Sequence, residues 1–125
     1  MFTTYKKHNN ELYNNINWTN DLETDELKIF SPRERGVEYS VEDGGDRFFI
    51  HTNLKNKNFS LMETPYQETN KDSWQDHITP GDKIFLDDVA IFDKFIALRE
   101  SHEGLLKIKI IDRKTDESFF LKTKL

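Results

Sequence analysis

The chain has 125 residues, a net charge of −5 and no cysteine, which excludes disulfides and thiolate zinc sites. The acidic balance argues against a general nucleic-acid binder, whose footprint is a basic stripe, and suits either a cationic partner or a solvated acidic surface. Ten phenylalanines, with 35% hydrophobic and 33% charged residues, argue for a folded domain, and no apolar run approaches the ~18 residues of a membrane helix.

The opening MFTTYKKHNN lacks the apolar core of a signal peptide, which, with the absence of cysteine, fits a cytoplasmic protein. The first thirty residues are rich in Asn, Thr and charge. Their apolar residues are sparse: Leu12, Tyr13, Ile16, Trp18, Leu27, Ile29 and Phe30, with Pro32 ending a short strand. Val37 to Val41 reads as a strand. The turn Glu42-Asp43-Gly44-Gly45-Asp46 follows, because Asp-Gly and Gly-Gly supply the positive φ angles of hairpins. Arg47 to Thr52 is dense in aromatic and β-branched residues, as strands are. Asn53 to Asn58 is a polar turn, Phe59 to Met62 a short strand, Thr64 to Ser73 a loop, and Trp74 to Ile78 an edge strand before Pro80-Gly81.

The second half repeats this rhythm. Leu86 to Phe92 and Phe95 to Leu98 are apolar runs around a turn at Asp93-Lys94, and Ser101 to Gly104 is another turn. Leu106, Ile108 and Ile110 alternate with Lys107 and Lys109, the period of a half-buried strand. Asp112 to Glu117 is a polar turn before a last strand at Ser118 to Leu121. Leu86 to Gly104 also reads as an amphipathic helix, with Leu86, Val89, Ala90, Phe92 and Ile96 near one face and Gly104 as a cap. The strand–turn–strand groups starting near Val37 and Leu86 are spaced like propeller blades of ~40–50 residues, though a plain β-meander with accidental spacing is the simpler reading of the pattern alone.

Glu38 to Leu61 (EYSVEDGGDRFFIHTNLKNKNFSL) resembles a propeller segment of oligopeptidase B, also called protease II, of the prolyl oligopeptidase family of serine peptidases. Ile84 to Glu117 (IFLDDVAIFDKFIALRESHEGLLKIKIIDRKTDE) resembles the next blade, closing on Asp-Arg-Lys-Thr, and Ile29-Phe30-Ser31-Pro32-Arg33 matches the lead-in. The resemblance covers residues 25–117. It implies an all-β fold: two four-stranded antiparallel blades, 37–82 and 83–125, after the outer strands of a preceding blade in 1–36. It also implies two strands around Asp93-Lys94 instead of the helix. In that family a propeller sits over an α/β-hydrolase domain and restricts entry to peptides, and the hydrolase cleaves after Lys or Arg.

The Ser, Asp and His of that hydrolase belong to a part of the polypeptide this chain does not contain, so the resemblance carries over no catalytic residue. No serine has the G-x-S-x-G context of a nucleophile elbow. Ser40, Ser60 and Ser118 lie inside proposed strands, where local hydrogen bonds are expected. His8, His51, His77 and His102 form no H-x-x-x-H pair. His77 beside Asp76 and His102 between Glu100 and Glu103 are conceivable acid–base dyads, and exposed turn residues are the plainer reading. Adjacent strand residues face opposite ways, so neither Asp87-Asp88 nor Glu42-Asp43 makes a two-carboxylate site by sequence alone. Trp18 and Trp74 are expected as buried or edge aromatics. Arg33, Arg35, Arg47 and Arg99 are expected to pair with carboxylates, tying blades together or facing the hydrolase.

The sequence therefore points to a non-catalytic propeller piece with no cofactor or metal. Its expected partners are the hydrolase domain and remaining blades of a parent enzyme, with self-association through uncovered blade faces. No nucleic acid or membrane is expected. Met1 followed by mid-blade sequence suggests a split or truncated gene or a cloned piece. The alternative is a free-standing β-module that binds and regulates a partner.

Overall fold

A computed structural model describes residues 3–8, 11–14 and 29–122, the first two stretches by strand course alone. Strands β1 (Thr3–His8), β2 (Glu11–Asn14) and β3 (Ile29–Ser31) form an antiparallel sheet in the order β2-β1-β3. Strands β4 (Tyr39–Asp43), β5 (Phe48–Thr52), β6 (Ser60–Thr64) and β7 (Gln75–Ile78) form a four-stranded antiparallel meander, the first blade. Strands β8 (Ile84–Ile91), β9 (Phe95–His102), β10 (Leu105–Asp112) and β11 (Ser118–Phe120) repeat that order as the second blade. The two blades touch through their first strands, β4 and β8.

The hairpins follow from turn chemistry. Between β4 and β5, Asp43 Oδ1 accepts the Gly45 N–H at 2.9 Å, and Gly45 takes φ +90°, which glycine adopts without steric cost. Between β9 and β10, Glu103 and Gly104 both take positive φ, 52° and 86°, as a two-residue turn of matching twist requires. The span read alternatively as a helix is the β8–β9 hairpin, and Phe92 N–H bonds the Phe95 carbonyl across Asp93-Lys94 at 2.9 Å. In β8 the register shifts between Leu86 and Asp88, leaving Asp87 as a bulge opposite Arg99.

Two apolar cores divide the molecule. Phe30 packs with Val41, Phe48, Ile50, Met62 and Trp74 on one face of the first blade. The blade's other face gives Phe49 and Leu61 to a second core with Leu86, Val89, Ile96, Leu98 and Ile111 of the second blade. Successive β5 side chains thus enter different cores, which is why Phe48, Phe49 and Ile50 are all buried.

The structure shifts several expectations. β4 starts at Tyr39 and runs through Asp43, so the turn moves to residues 44–47. β9 continues to His102, because Arg99 to His102 pair with Leu105 to Ile108 of β10. Trp74 precedes β7 and is buried, following a short 3-10 turn, Lys71–Ser73. In β10 the apolar alternation points outward. Ile108 pairs with Arg99 and Ile110 with Ala97 on the uncovered face. Lys107 and Lys109 instead flank Phe120 on the face towards the first blade, their ammonium groups 5.5 and 5.6 Å from its ring centre. Lysine stems can cover apolar surface while the charges reach water.

Candidate functional site

The feature with the most organised chemistry is the seam between the blades. Its centre is Phe49, which β5 turns towards the second blade. The Arg47 and Arg113 guanidiniums stand 5.5 and 5.3 Å from its ring centre, and the His77 ring meets it edge-on at 5.1 Å. Gly44 lies against the same ring. A Cβ there would fall 2.4 Å from Phe49 Cε2 and 2.9 Å from the Arg47 carbonyl oxygen, so the turn closes over the ring only without a side chain.

That closure presents the Gly44 carbonyl to the second blade, where Arg113 Nη2 donates to it at 2.8 Å. Arg113 Nη1 donates to the Phe92 carbonyl at 3.0 Å, and the Arg113 N–H donates to the Lys94 carbonyl, also at 3.0 Å. One planar guanidinium therefore clasps a turn of each blade, a geometry an ammonium cannot reproduce. Asp46 closes the group, accepting from Arg47 Nε and Nη2 at 3.2 and 3.0 Å and lying 3.4 Å from Arg113 Nη2. The hydrogen bond from Arg47, with the charges of Arg47 and Arg113, holds the Asp46 carboxyl below its usual range. Arg47 also pairs with Glu63 at 3.1 Å, and Glu63 with His77 Nδ1. Beside this clasp lies an open cleft of about 720 Å³, with Lys94 and Lys114 among its lining residues. Its third turn is fixed by Asp112 Oδ1, which accepts the Lys114 and Thr115 N–H groups at 2.8 and 3.0 Å. Those bonds, led by Thr115, hold the Asp112 carboxyl low.

Further along the seam, Leu86 N–H donates to the Asn58 carbonyl at 2.9 Å and the Leu86 carbonyl accepts from His51 Nε2 at 2.8 Å. A carbonyl only accepts, so His51 Nε2 carries the proton. Burial, and then the nearby Asp88 charge, raise the Glu42 carboxyl above its ordinary value.

The remaining sequence candidates fall into place around this seam. His77 and His102 are half-buried strand residues, where exposed turn positions were expected. His77 pairs with Glu63 rather than Asp76, because Glu63 lies on the neighbouring strand β6. His102 Nε2 meets buried Glu100 at 2.8 Å. Arg99 Nε binds bulged Asp87 within its own blade at 2.5 Å. Arg33 and Arg35 are exposed and make no ion pair among the described residues. Ser60 is buried with no hydrogen-bond partner for its hydroxyl, against the local bond expected. Trp18 lies outside the described residues, and nothing is described of the His8 side chain. Arg113 was missed by sequence reasoning: it sits in the closing Asp-Arg-Lys-Thr motif, but no local pattern shows that its side chain crosses to Gly44. Among the described residues no serine is bonded to a histidine, and no group of three His, Asp or Glu could hold a metal ion. The seam is built to join two sheets.

A family profile described as the prolyl oligopeptidase N-terminal beta-propeller domain matches residues 2–125. Dipeptidyl aminopeptidase BI of Pseudoxanthomonas mexicana is 32% identical over 84 residues, covering 66% of this chain and 12% of that protein. Among solved structures, oligopeptidase B from Trypanosoma brucei, in a closed form with covalently bound antipain, matches at TM-score 0.65 and 30% identity, over 84% of this chain and 14% of that one. Oligopeptidase B from Leishmania major matches at TM-score 0.69 and 19% identity, over 91% and 17% of the two chains. A prolyl endopeptidase shares the fold at TM-score 0.76 and 14% identity, over 98% of this chain and 19% of its own. The chain thus spans less than a fifth of each of these relatives, and it belongs to the prolyl oligopeptidase family as part of the N-terminal β-propeller.

Proposed function

We propose that the chain forms part of a propeller that covers a hydrolase domain and admits only peptides to it, in a parent enzyme that cleaves after Lys or Arg. The observation that carries this reading is the clasped pair of four-stranded blades, which fits a closed wall around a chamber better than a lone ligand-binding module. The oligopeptidase B relatives support the substrate class. The chain's charge of −5 supports it too, since an acidic wall attracts cationic peptides. The closed form of the Trypanosoma brucei relative supports a propeller that shuts over its ligand. A second reading, release of dipeptides by the parent enzyme, is favoured by the 32% identical dipeptidyl aminopeptidase.

The test is a chimaera in which this chain replaces the matching stretch of Trypanosoma brucei oligopeptidase B. Short reporter peptides with Arg before the scissile bond should be cleaved, and an unfolded protein of the same sequence context should be cleaved far more slowly. A folded chimaera that cuts both at equal rates would refute gating. Assays of the parent polypeptide then separate internal cleavage after Lys or Arg from dipeptide release.

A further inference from the structure

We propose that the cleft beside the Arg113 clasp is an oxyanion site, in which the ammonium groups of Lys94 and Lys114 hold a carboxylate or a phosphate. Three turns line it, residues 44–47, 93–94 and 112–114. All three belong to these two adjacent blades, so the shape of the cleft needs no further blade. Its volume of about 720 Å³ lies within the roughly 300–1,000 Å³ of small-ligand sites.

The charges of the lining do not cancel once their internal bonds are counted. Asp46 accepts from Arg47 at 3.2 and 3.0 Å and lies 3.4 Å from Arg113 Nη2. Arg47 gives Nη1 to Glu63 at 3.1 Å, and Arg113 gives its Nη groups to the Phe92 and Gly44 carbonyls. Asp112 Oδ1 is taken by the Lys114 and Thr115 N–H groups. The Asp46 and Asp112 carboxyls are both held low, so both stay ionised and committed at neutral pH. Lys114 helps to hold Asp112 low through its charge, yet neither its ammonium nor that of Lys94 makes a hydrogen bond or ion pair among the described residues. Asp93 is the one other carboxylate of the lining, and it too makes no ion pair among them. Two ammonium groups against one carboxylate leave the cleft cationic on a chain of net charge −5.

The backbone brings the two lysines together. The Arg113 N–H bonds the Lys94 carbonyl at 3.0 Å, which sets Lys94 beside the residue that precedes Lys114. The clasp fixes the turn of Lys94, and Asp112 fixes the turn of Lys114. Both lysines are thus mounted on ordered turns, which lowers the ordering cost of binding. Two neighbouring ammonium groups repel one another until an anion sits between them. An oxyanion accepts a charge-assisted hydrogen bond from each on separate oxygens, and carboxylate and phosphate share that chemistry.

The test is a chemical-shift titration of the full 125-residue chain, labelled with nitrogen-15, at constant ionic strength. One arm adds inorganic phosphate. The other adds a short peptide with uncharged side chains and a free C-terminal carboxylate, with its C-terminal amide as control. Saturable shifts are expected at residues 93–94 and 112–115, and the arm that saturates at lower concentration identifies the source of the oxyanion. Lys94→Gln and Lys114→Gln, both at exposed positions, should keep the folded spectrum and each weaken binding by about fivefold, the scale of one exposed ion pair. No saturable shift in either arm would overturn the proposal. So would equal shifts at Lys55, Lys57 and Lys83 on the other turns, an equal response to the amidated peptide, or unchanged binding in both glutamine variants.

Discussion

The two blades share one strand order, yet they stand in different surroundings. The first is covered on both faces, by Phe30 and its cluster on one side and by the second blade on the other. The second is covered on one face, and Leu105, Leu106, Phe119, Phe120 and Leu121 remain exposed. Each sequence reflects its place. β5 buries three consecutive residues, whereas β10 alternates apolar and lysine residues and buries only Ile111. Strand order is thus set by local turns, while burial is set by neighbouring sheets. Stability should therefore concentrate in the first blade and at the seam.

The largest expected contrast is between two phenylalanines. Phe49→Ala removes a ring that is 1% exposed beneath the Gly44 turn, and should cost about 3–5 kcal/mol in a denaturant melt. Phe119→Ala, measured on the monomer, should stay within about 0.5 kcal/mol. Equal costs would break the contrast between blades. Gly44→Ala comes next. Its methyl must displace Phe49 or the turn backbone, an overpacking cost of about 1–3 kcal/mol.

Arg113→Ala frees the Gly44 and Phe92 carbonyls and should cost about 1–2 kcal/mol. Arg113→Lys should recover little of that, since a single ammonium cannot serve both turns. Full rescue by lysine in the same melt would reduce the clasp to a simple charge effect.

The smallest effect is set by pH. Burial and Asp88 raise the folded-state pKa of Glu42, so its ionisation opposes folding once pH rises above the unfolded value. Glu42→Gln should raise the melting temperature near neutral pH and lose that advantage below about pH 4, where glutamate is protonated in both states. Asp46 runs the other way. Its carboxyl is held low by Arg47 and Arg113, so its contribution is present above the unfolded value and lost as pH falls through the folded one. A Glu42→Gln gain that persists unchanged in acid would point to packing instead of charge.

Much of this fold is legible in the sequence. Asp43 to Asp46 announces a hairpin through its glycines and Gly104 announces another, although the structure narrows the turns to residues 44–47 and 103–104. The motifs at Glu38 to Leu61 and Ile84 to Glu117 choose hairpin over helix, which periodicity alone leaves open. What the sequence hides depends on the partner sheet. The β10 alternation marks a strand but not which face meets the seam, because Lys107 and Lys109 reach it through their stems and Phe120. Arg113 is hidden for the same reason: its role rests on Gly44, 69 residues away in the chain. His77 pairs across strands with Glu63, where sequence adjacency suggested Asp76, and His102 pairs along its strand with Glu100, one of the two glutamates the sequence offered.

The central claim is that the first blade is a doubly covered core and the second is held through one face. Native-state hydrogen exchange of the monomer, resolved by strand, tests it most directly, because amides that open only with global unfolding mark the most stable unit. The account predicts that β5 and β6 exchange last, that the β8–β9 amides at the seam follow, and that β10–β11 exchange first. Slowest exchange in β10–β11, or uniform protection across both blades, would contradict it.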